Sequence, residues 1–146
     1  MKFTNERIIR ASREAVWQAF DNTENLKTWQ PTLQTFEHQS GQPGQPGAVS
    51  KLVYDENGRT VILIETITER NMPDSFSGTY DNSTVFNAIT NRFEALDDNR
   101  TRWVVENEYR FKGLFRLMAP FVKGSIQKRS DEDMDRFVAM VEQSAA

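Results

Sequence analysis

At 146 residues the chain is long enough for one domain with a substantial core and too short for two. Its formal net charge of -3 leaves no excess of positive charge to neutralise phosphates, which argues against a nucleic-acid partner. The absence of cysteine excludes disulfides, thiolate catalysis and cysteine-ligated metal, and the single histidine, His38, excludes a multi-histidine metal site within one chain. We therefore expect a single domain over residues 1–146, without metal or cofactor.

The chain also lacks the features of a membrane or secreted protein. No apolar stretch approaches the roughly 20 residues needed to span a bilayer, so we expect no membrane insertion. The first ten residues, MKFTNERIIR, are charged rather than apolar and do not have the character of a secretory signal. The sequence thus predicts a cytoplasmic protein and leaves a monomer and a homodimer both open.

The predicted elements begin with a strand over residues 2–10. Ser12 is a good N-cap for a helix with apolar residues from Ala15 to Phe20 on one side. A second short helix is predicted over about residues 23–28, and Pro31 ends it. Residues 2–31 are therefore predicted to form one strand and two short helices.

From residue 32 to residue 111 the pattern is typical of strands. Asn57-Gly58 is the strongest short signal for a β-hairpin, and further tight turns are predicted at 81–84 and 97–100. The tandem Gln-Pro-Gly repeat at 42–47 indicates a mobile loop between strands. Gly113 ends the last strand, and a long amphipathic helix is predicted from 114 to about 143.

The turns set the register of the strands, and the register sets which side chains share a face of the sheet. All three turns predict the same apolar face, formed by Leu52, Tyr54, Val61, Leu63, Ile67, Phe76, Tyr80, Val85, Ile89, Phe93, Trp103, Val105, Tyr109 and Phe111. A curved antiparallel sheet closed by a single C-terminal helix encloses more space than its own side chains fill. The order of elements therefore predicts an internal cavity, and a cavity with apolar walls predicts a small hydrophobic ligand.

Three short motifs give the chain a family resemblance. The segment Ala-Ser-Arg-Glu-Ala-Val-Trp at 11–17, Asp21, and Trp-Gln-Pro at 29–31 resemble the opening of the START-like superfamily. That superfamily includes polyketide cyclase/dehydrase-type and birch-pollen-allergen-like proteins. The glycine-rich loop at 41–47, the strand at 101–111 followed by Lys-Gly, and the closing helix extend the likeness over nearly the whole chain.

The resemblance implies an α+β helix-grip fold, in which a seven-stranded curved antiparallel sheet wraps around the long C-terminal helix, with two short helices after the first strand. Members of the superfamily bind lipids, sterols, polyketides, quinones or plant hormones, and some catalyse cyclisation or dehydration. They share no single catalytic set, so the resemblance assigns no catalytic residue here.

The predicted inner face also carries polar side chains. One row across the sheet is predicted to contain His38, Ser50, Glu65, Gly78 and Asn87. Because Gly78 has no side chain, Glu65 and Asn87 are expected to approach each other across it. A carboxylate buried in apolar surroundings has a raised pKa, and a histidine within reach would complete a general acid/base pair.

Two interpretations of this row stay open. In the first, Glu65, His38 and Tyr80 are candidate catalytic groups, and Glu65 is the functional polar centre. In the second, Glu65 is structural, satisfied by its polar neighbours or paired with Arg7 from the first strand.

The remaining candidates are predicted to contact a ligand. Asn91 is expected opposite Asn107, where the two amides bond each other, water or a ligand. The full predicted lining is Trp29, Tyr54, Leu63, Glu65, Phe76, Tyr80, Asn87, Ile89, Asn91, Trp103, Val105, Asn107, Tyr109, Met118, Val122 and Ile126.

Three functions are consistent with the sequence. The first is binding, for transport or sensing, of a small hydrophobic or aromatic molecule in the cavity. The second is a cyclase/dehydratase-type enzyme acting on a polyketide-like substrate. The third is a protein-interaction module whose cavity is vestigial.

Overall fold

The computed structural model describes residues 1–145. Its strands are β1 (Lys2–Ile9), β2 (Leu33–Ser40), β3 (Val49–Glu56), β4 (Arg59–Asn71), β5 (Ser75–Asp81), β6 (Val85–Asp97) and β7 (Arg100–Phe111). Its α-helices are α1 (Arg13–Asp21), α2 (Leu26–Trp29) and α3 (Ala119–Ala145). Two 3-10 helices, Thr23–Asn25 and Gly113–Met118, precede α2 and α3.

The seven strands form one antiparallel sheet in the order β1-β7-β6-β5-β4-β3-β2. Each strand except β1 pairs with its sequence neighbour, and β1 closes against β7. The curved sheet wraps around α3, so the predicted α+β helix-grip fold is confirmed. No helix within residues 1–145 is long and apolar enough to cross a membrane.

Local sequence explains where elements begin and turn. The hydroxyl of Ser12 accepts a hydrogen bond from the Ala15 amide at 3.1 Å and so caps α1, as predicted. Asn57 and Gly58 have φ values of 56° and 87°, the left-handed pair that a tight hairpin between β3 and β4 requires. Glu65 consequently lies opposite Ser50, as the turn predicts.

The predicted register is wrong by two residues in the next two hairpins. Asn82 accepts hydrogen bonds at its side-chain oxygen from the amides of Thr84 and Val85, which moves the turn centre one residue along. Tyr80 therefore pairs with Asn87, where Gly78 was expected.

In the β6–β7 hairpin, a bulge between Ala95 and Asp97 replaces the expected three-residue turn, so Asn91 pairs with Val105 and not with Asn107. A two-residue error keeps each side chain on its face, which is why the predicted inner face survives.

The core has two separate buried clusters. The larger packs aromatic rings from α1, α2, the sheet and α3, and Phe137 of α3 lies at its centre with no exposed surface. The smaller consists of Leu33, Leu52 and Tyr54. Because the large side chains of α3 fill only one end of the space under the sheet, a cavity remains between the two clusters.

Candidate functional site

The cavity lies between the inner face of the sheet, α2 and the first half of α3, and its volume is about 740 Å³. Its walls are mainly apolar and aromatic side chains. This size and lining are those of sites that hold small molecules.

Five lining residues are themselves exposed, and they mark where the cavity opens: Asp21, Thr23, His38, Pro43 and Ser125. Arg70 joins two sides of this mouth. Its guanidinium contacts both carboxylate oxygens of Asp21, at 2.7 and 2.9 Å, and the Gly44 carbonyl at 3.2 Å. The loop at 41–47 is thereby tied to the end of α1.

The structure brings almost all of the predicted ligand-contacting side chains to the cavity wall. The fourteen that line it are Trp29, Tyr54, Leu63, Glu65, Phe76, Tyr80, Asn87, Ile89, Asn91, Trp103, Val105, Asn107, Tyr109 and Ile126. Their binding of a ligand stays a prediction.

Met118 and Val122 do not lie on the cavity wall, contrary to the expectation from sequence. Residues 113–118 form a 3-10 helix with three residues per turn, and Met118 is half exposed there. The cavity-facing side of α3 begins only at Ser125 and continues with Ile126, Arg129, Ser130, Asp133 and Met134. Helical spacing counted from Ile126 could have identified these missed residues.

The polar centre of the cavity is a pair formed by Glu65 and Tyr80. The Tyr80 hydroxyl donates a hydrogen bond of 2.7 Å to the Glu65 carboxylate. Burial raises the pKa of Glu65, and the bond from Tyr80 offsets this only in part. Burial, together with the nearby Glu65 charge, raises the pKa of Tyr80 well above its usual value, so this phenol remains a donor.

Of the predicted polar row, His38 lies opposite Ser50 and Ser50 opposite Glu65 as expected, whereas Gly78 is displaced from the row by Tyr80. Gly78 pairs with Ile67 and Ile89, so it does not separate Glu65 from Asn87. A Cβ at Gly78 would lie 3.2 Å from the Thr66 carbonyl, which means that the glycine allows a close approach of two strands.

His38 lies on the edge strand β2 and is exposed, and within residues 1–145 it makes no hydrogen bond to Glu65. The expected His38–Glu65 pair is therefore absent from the described structure, and Tyr80 takes the place of the histidine as the partner of Glu65.

The buried amides bond other groups than the sequence suggests. Asn91 accepts a hydrogen bond from the Trp103 indole at 3.1 Å, and Asn107 accepts one from Asn87 at 3.3 Å. The indole nitrogen of Trp29, by contrast, is buried without a hydrogen-bond partner among residues 1–145. Trp29 lines the cavity, but this nitrogen has almost no accessible surface, so a molecule in the cavity would not reach it.

A second polar group lies where α3 meets the β3–β4 hairpin. Arg129 contacts Glu56 at 2.8 Å, Asp133 at 3.2 Å and the Thr32 hydroxyl at 2.6 Å. These contacts lower the pKa of Glu56, whereas burial raises the pKa of Asp133 despite its two arginine neighbours. Arg129 is already neutralised by two carboxylates, so this cluster fixes the helix against the hairpin.

Arg7 does not reach Glu65. Its guanidinium contacts Asp135 at 2.7 Å and Asp131 at 3.0 Å on α3. Glu65 is therefore not the ion-paired acid of the alternative interpretation. Within residues 1–145, no cluster of three or more histidine, aspartate or glutamate side chains could hold a metal ion.

Replacing Glu65 with glutamine should make stability less dependent on pH. A carboxyl whose pKa is raised by folding costs stability when it is ionised, so the parent should lose stability as pH rises from about 4.5 through the raised pKa. Each unit of that rise corresponds to about 1.4 kcal/mol. We expect Glu65→Gln to match the parent near pH 4 and to be more stable at pH 8 in urea unfolding. If Glu65→Gln were less stable than the parent by the same amount at both pH values, Glu65 would not be a buried carboxyl with a raised pKa.

Comparison with known proteins places this geometry in context. A family model described as polyketide cyclase/dehydrase and lipid transport matches residues 1–142. No curated protein sequence matches the chain.

Several solved structures share the fold. The aromatase/cyclase ZhuI from Streptomyces sp. R1128 has 14% identity and a TM-score of 0.85, with 100% of this chain and 96% of that chain covered. A START superfamily protein from Mycobacterium smegmatis has 14% identity and a TM-score of 0.81, and Ara h 8.0201 has 19% and 0.77, each with 97% of both chains covered. At these identities the likeness concerns the fold alone. Because the family model spans almost the whole sequence, the chain belongs to the polyketide cyclase/dehydrase and lipid transport family.

Proposed function

We propose that the protein binds a small, largely hydrophobic or aromatic molecule that carries a hydrogen-bond acceptor. The observation that carries this proposal is the cavity of about 740 Å³, whose walls are mainly apolar and whose polar centre is the Glu65–Tyr80 pair. A cavity of this kind gains affinity from apolar contact and orientation from its polar groups.

The polar groups favour a carbonyl or similar acceptor on the ligand. Tyr80 donates its one hydroxyl hydrogen to Glu65, so it has none left for a ligand while Glu65 is ionised. When Glu65 is protonated, the pair carries two hydrogens and can donate one of them to a ligand acceptor. The raised pKa of Glu65 extends this state above the ordinary range of a carboxyl.

A matched pair of probes tests this proposal. 9-Fluorenone and fluorene have the same ring system and differ at one carbon, which bears a carbonyl in the first. We expect both to quench tryptophan fluorescence saturably with one site per chain, and fluorenone to bind about threefold to tenfold more tightly because of its hydrogen bond.

The preference for fluorenone should weaken as pH rises and Glu65 loses its proton. Glu65→Gln supplies an amide donor at every pH, so its preference should not change with pH. If neither probe binds, or if the two bind equally at every pH, the proposed ligand chemistry is wrong.

The Glu65–Tyr80 pair also favours a second candidate, a cyclase/dehydratase-type reaction on a polyketide-like substrate. A carboxyl whose pKa is raised by burial, next to a phenol inside a cavity, can accept and return a proton. ZhuI, whose fold is similar, is an aromatase/cyclase. If catalysis follows binding, Glu65→Gln should lower turnover of a poly-β-ketone substrate at least a hundredfold while the substrate still binds. If the parent binds the substrate but does not turn it over, the second candidate is wrong and the protein functions in binding alone.

A further inference from the structure

Five large apolar side chains lie exposed between the last strand and the first turns of α3. Leu114, Leu117 and Phe121 are exposed by 84%, 71% and 82%, and Phe115 and Met118 by about half. We call these five residues the apolar stripe. Single exposed apolar residues are ordinary, but five within eight residues are not, and such a surface indicates a binding partner.

The helical geometry brings the stripe to one side. In the 3-10 helix, residues three apart lie above one another, which aligns Leu114 with Leu117 and Phe115 with Met118. Phe121 follows Leu117 by four residues, as α3 begins. The three most exposed side chains therefore point out in succession from the same surface.

The same part of the chain is strongly basic. Residues 110–130 contain six of the eighteen basic residues of the protein and none of its twenty-one acidic residues. Arg116, Lys123 and Lys128 are exposed, and no salt bridge within residues 1–145 involves them. In an acidic protein this is a local excess of free positive charge beside exposed apolar side chains.

We propose that the apolar stripe docks on the surface of an anionic lipid bilayer. Leucine and phenylalanine side chains insert among lipid headgroups, and neighbouring lysine and arginine side chains attract the anionic lipids. A second copy fits less well, because a twofold contact through the stripe would bring the same unpaired positive charges together.

Docking through the stripe would place the cavity mouth beside the bilayer. Phe121 precedes Ser125, one of the exposed residues at the mouth, by about one helical turn. Only side chains enter the lipid, so no spanning helix is required. The inference stands apart from the proposed ligand: docking can be measured whether or not the cavity binds anything.

Sedimentation with vesicles tests the inference. The full chain would be mixed with phosphatidylcholine vesicles and with vesicles that contain about one third phosphatidylserine. We expect binding to the anionic vesicles that weakens as salt is raised, and little binding to the neutral vesicles.

Amino-acid substitutions test which residues are responsible for vesicle binding. Leu117→Ser with Phe121→Ser should weaken binding to anionic vesicles at least tenfold, and Lys123→Glu at least fivefold. The matched controls are Ile62→Ser and Arg59→Glu, which change exposed residues on the β3–β4 hairpin and should bind as the parent does. Thermal unfolding would establish that each variant is folded.

Three results would overturn the inference. The first is a parent that does not bind anionic vesicles. The second is a stripe variant that binds as tightly as the controls do. The third is a parent protein that does not bind vesicles and is dimeric by light scattering, together with a stripe variant that is monomeric. That result would mean that the stripe contacts a second copy of the chain.

Discussion

Replacing Phe137 with alanine should lower the free energy of unfolding by about 3–5 kcal/mol. Phe137 has no exposed surface and packs, with Met134 and Val141 of α3, into the larger buried cluster. Its ring centroid lies 4.8 Å from that of Trp103, 5.2 Å from that of Trp29 and 6.0 Å from that of Phe20. Removing the ring leaves a void and ends these contacts at once.

The matched control is Phe121→Ala, which changes the same residue type in the same helix at a position that is 82% exposed. Its effect should stay within about 0.5 kcal/mol. Urea unfolding followed by far-ultraviolet circular dichroism measures both. Similar losses for the two variants would mean that α3 is not seated on the sheet through Phe137.

Filling the cavity should abolish ligand binding without unfolding the protein. Ile89 is half-buried and lines the cavity, so a phenylalanine there extends into empty space. We expect Ile89→Phe to weaken binding of 9-fluorenone about a hundredfold, because the ring occupies the space of the ligand. Its melting temperature should equal or exceed that of the parent, since a void becomes filled.

Ile62→Phe provides the control, because Ile62 is an exposed residue of the same sheet. It should bind fluorenone as the parent does. If Ile89→Phe strains the sheet and unfolds, Leu63→Phe fills the cavity from the neighbouring strand β4. Unchanged affinity in a folded Ile89→Phe variant would place the ligand outside the cavity.

The fold could be predicted from sequence because its signals are local and repeated. Asn57-Gly58 specifies one hairpin, Ser12 specifies the start of α1, and alternation along the strands specifies the inner face. Each depends on a few neighbouring residues, and a register error of two does not alter which side faces inward.

The partner of Glu65 could not be predicted in this way. Whether Tyr80 or Gly78 lies next to Asn87 depends on which residue Asn82 caps with its side chain, and a turn of four polar residues allows more than one centre. The error puts a glycine where the phenol of Tyr80 lies, so the predicted register does not distinguish Tyr80 from His38 or Arg7 as the partner of Glu65.

The start of the cavity along α3 could not be predicted from periodicity either. A periodic pattern indicates a helix but does not distinguish its 3-10 start, which contains Met118, from the α-helix that follows. Val122 lies in α3 four residues before Ile126 and on the same face, but the cavity wall begins only at Ser125. Helical spacing gives the face of a helix that is turned inward and not how far along the helix the cavity extends.

A crystal structure of the protein with bound 9-fluorenone tests the central claim most directly. The ligand should lie in the cavity with its rings against Phe76 and Ile89, and its oxygen should be about 3 Å from the Glu65 carboxyl or the Tyr80 hydroxyl. Fluorenone bound instead in the surface groove between Thr28 and Arg136, with the cavity empty, would contradict the account.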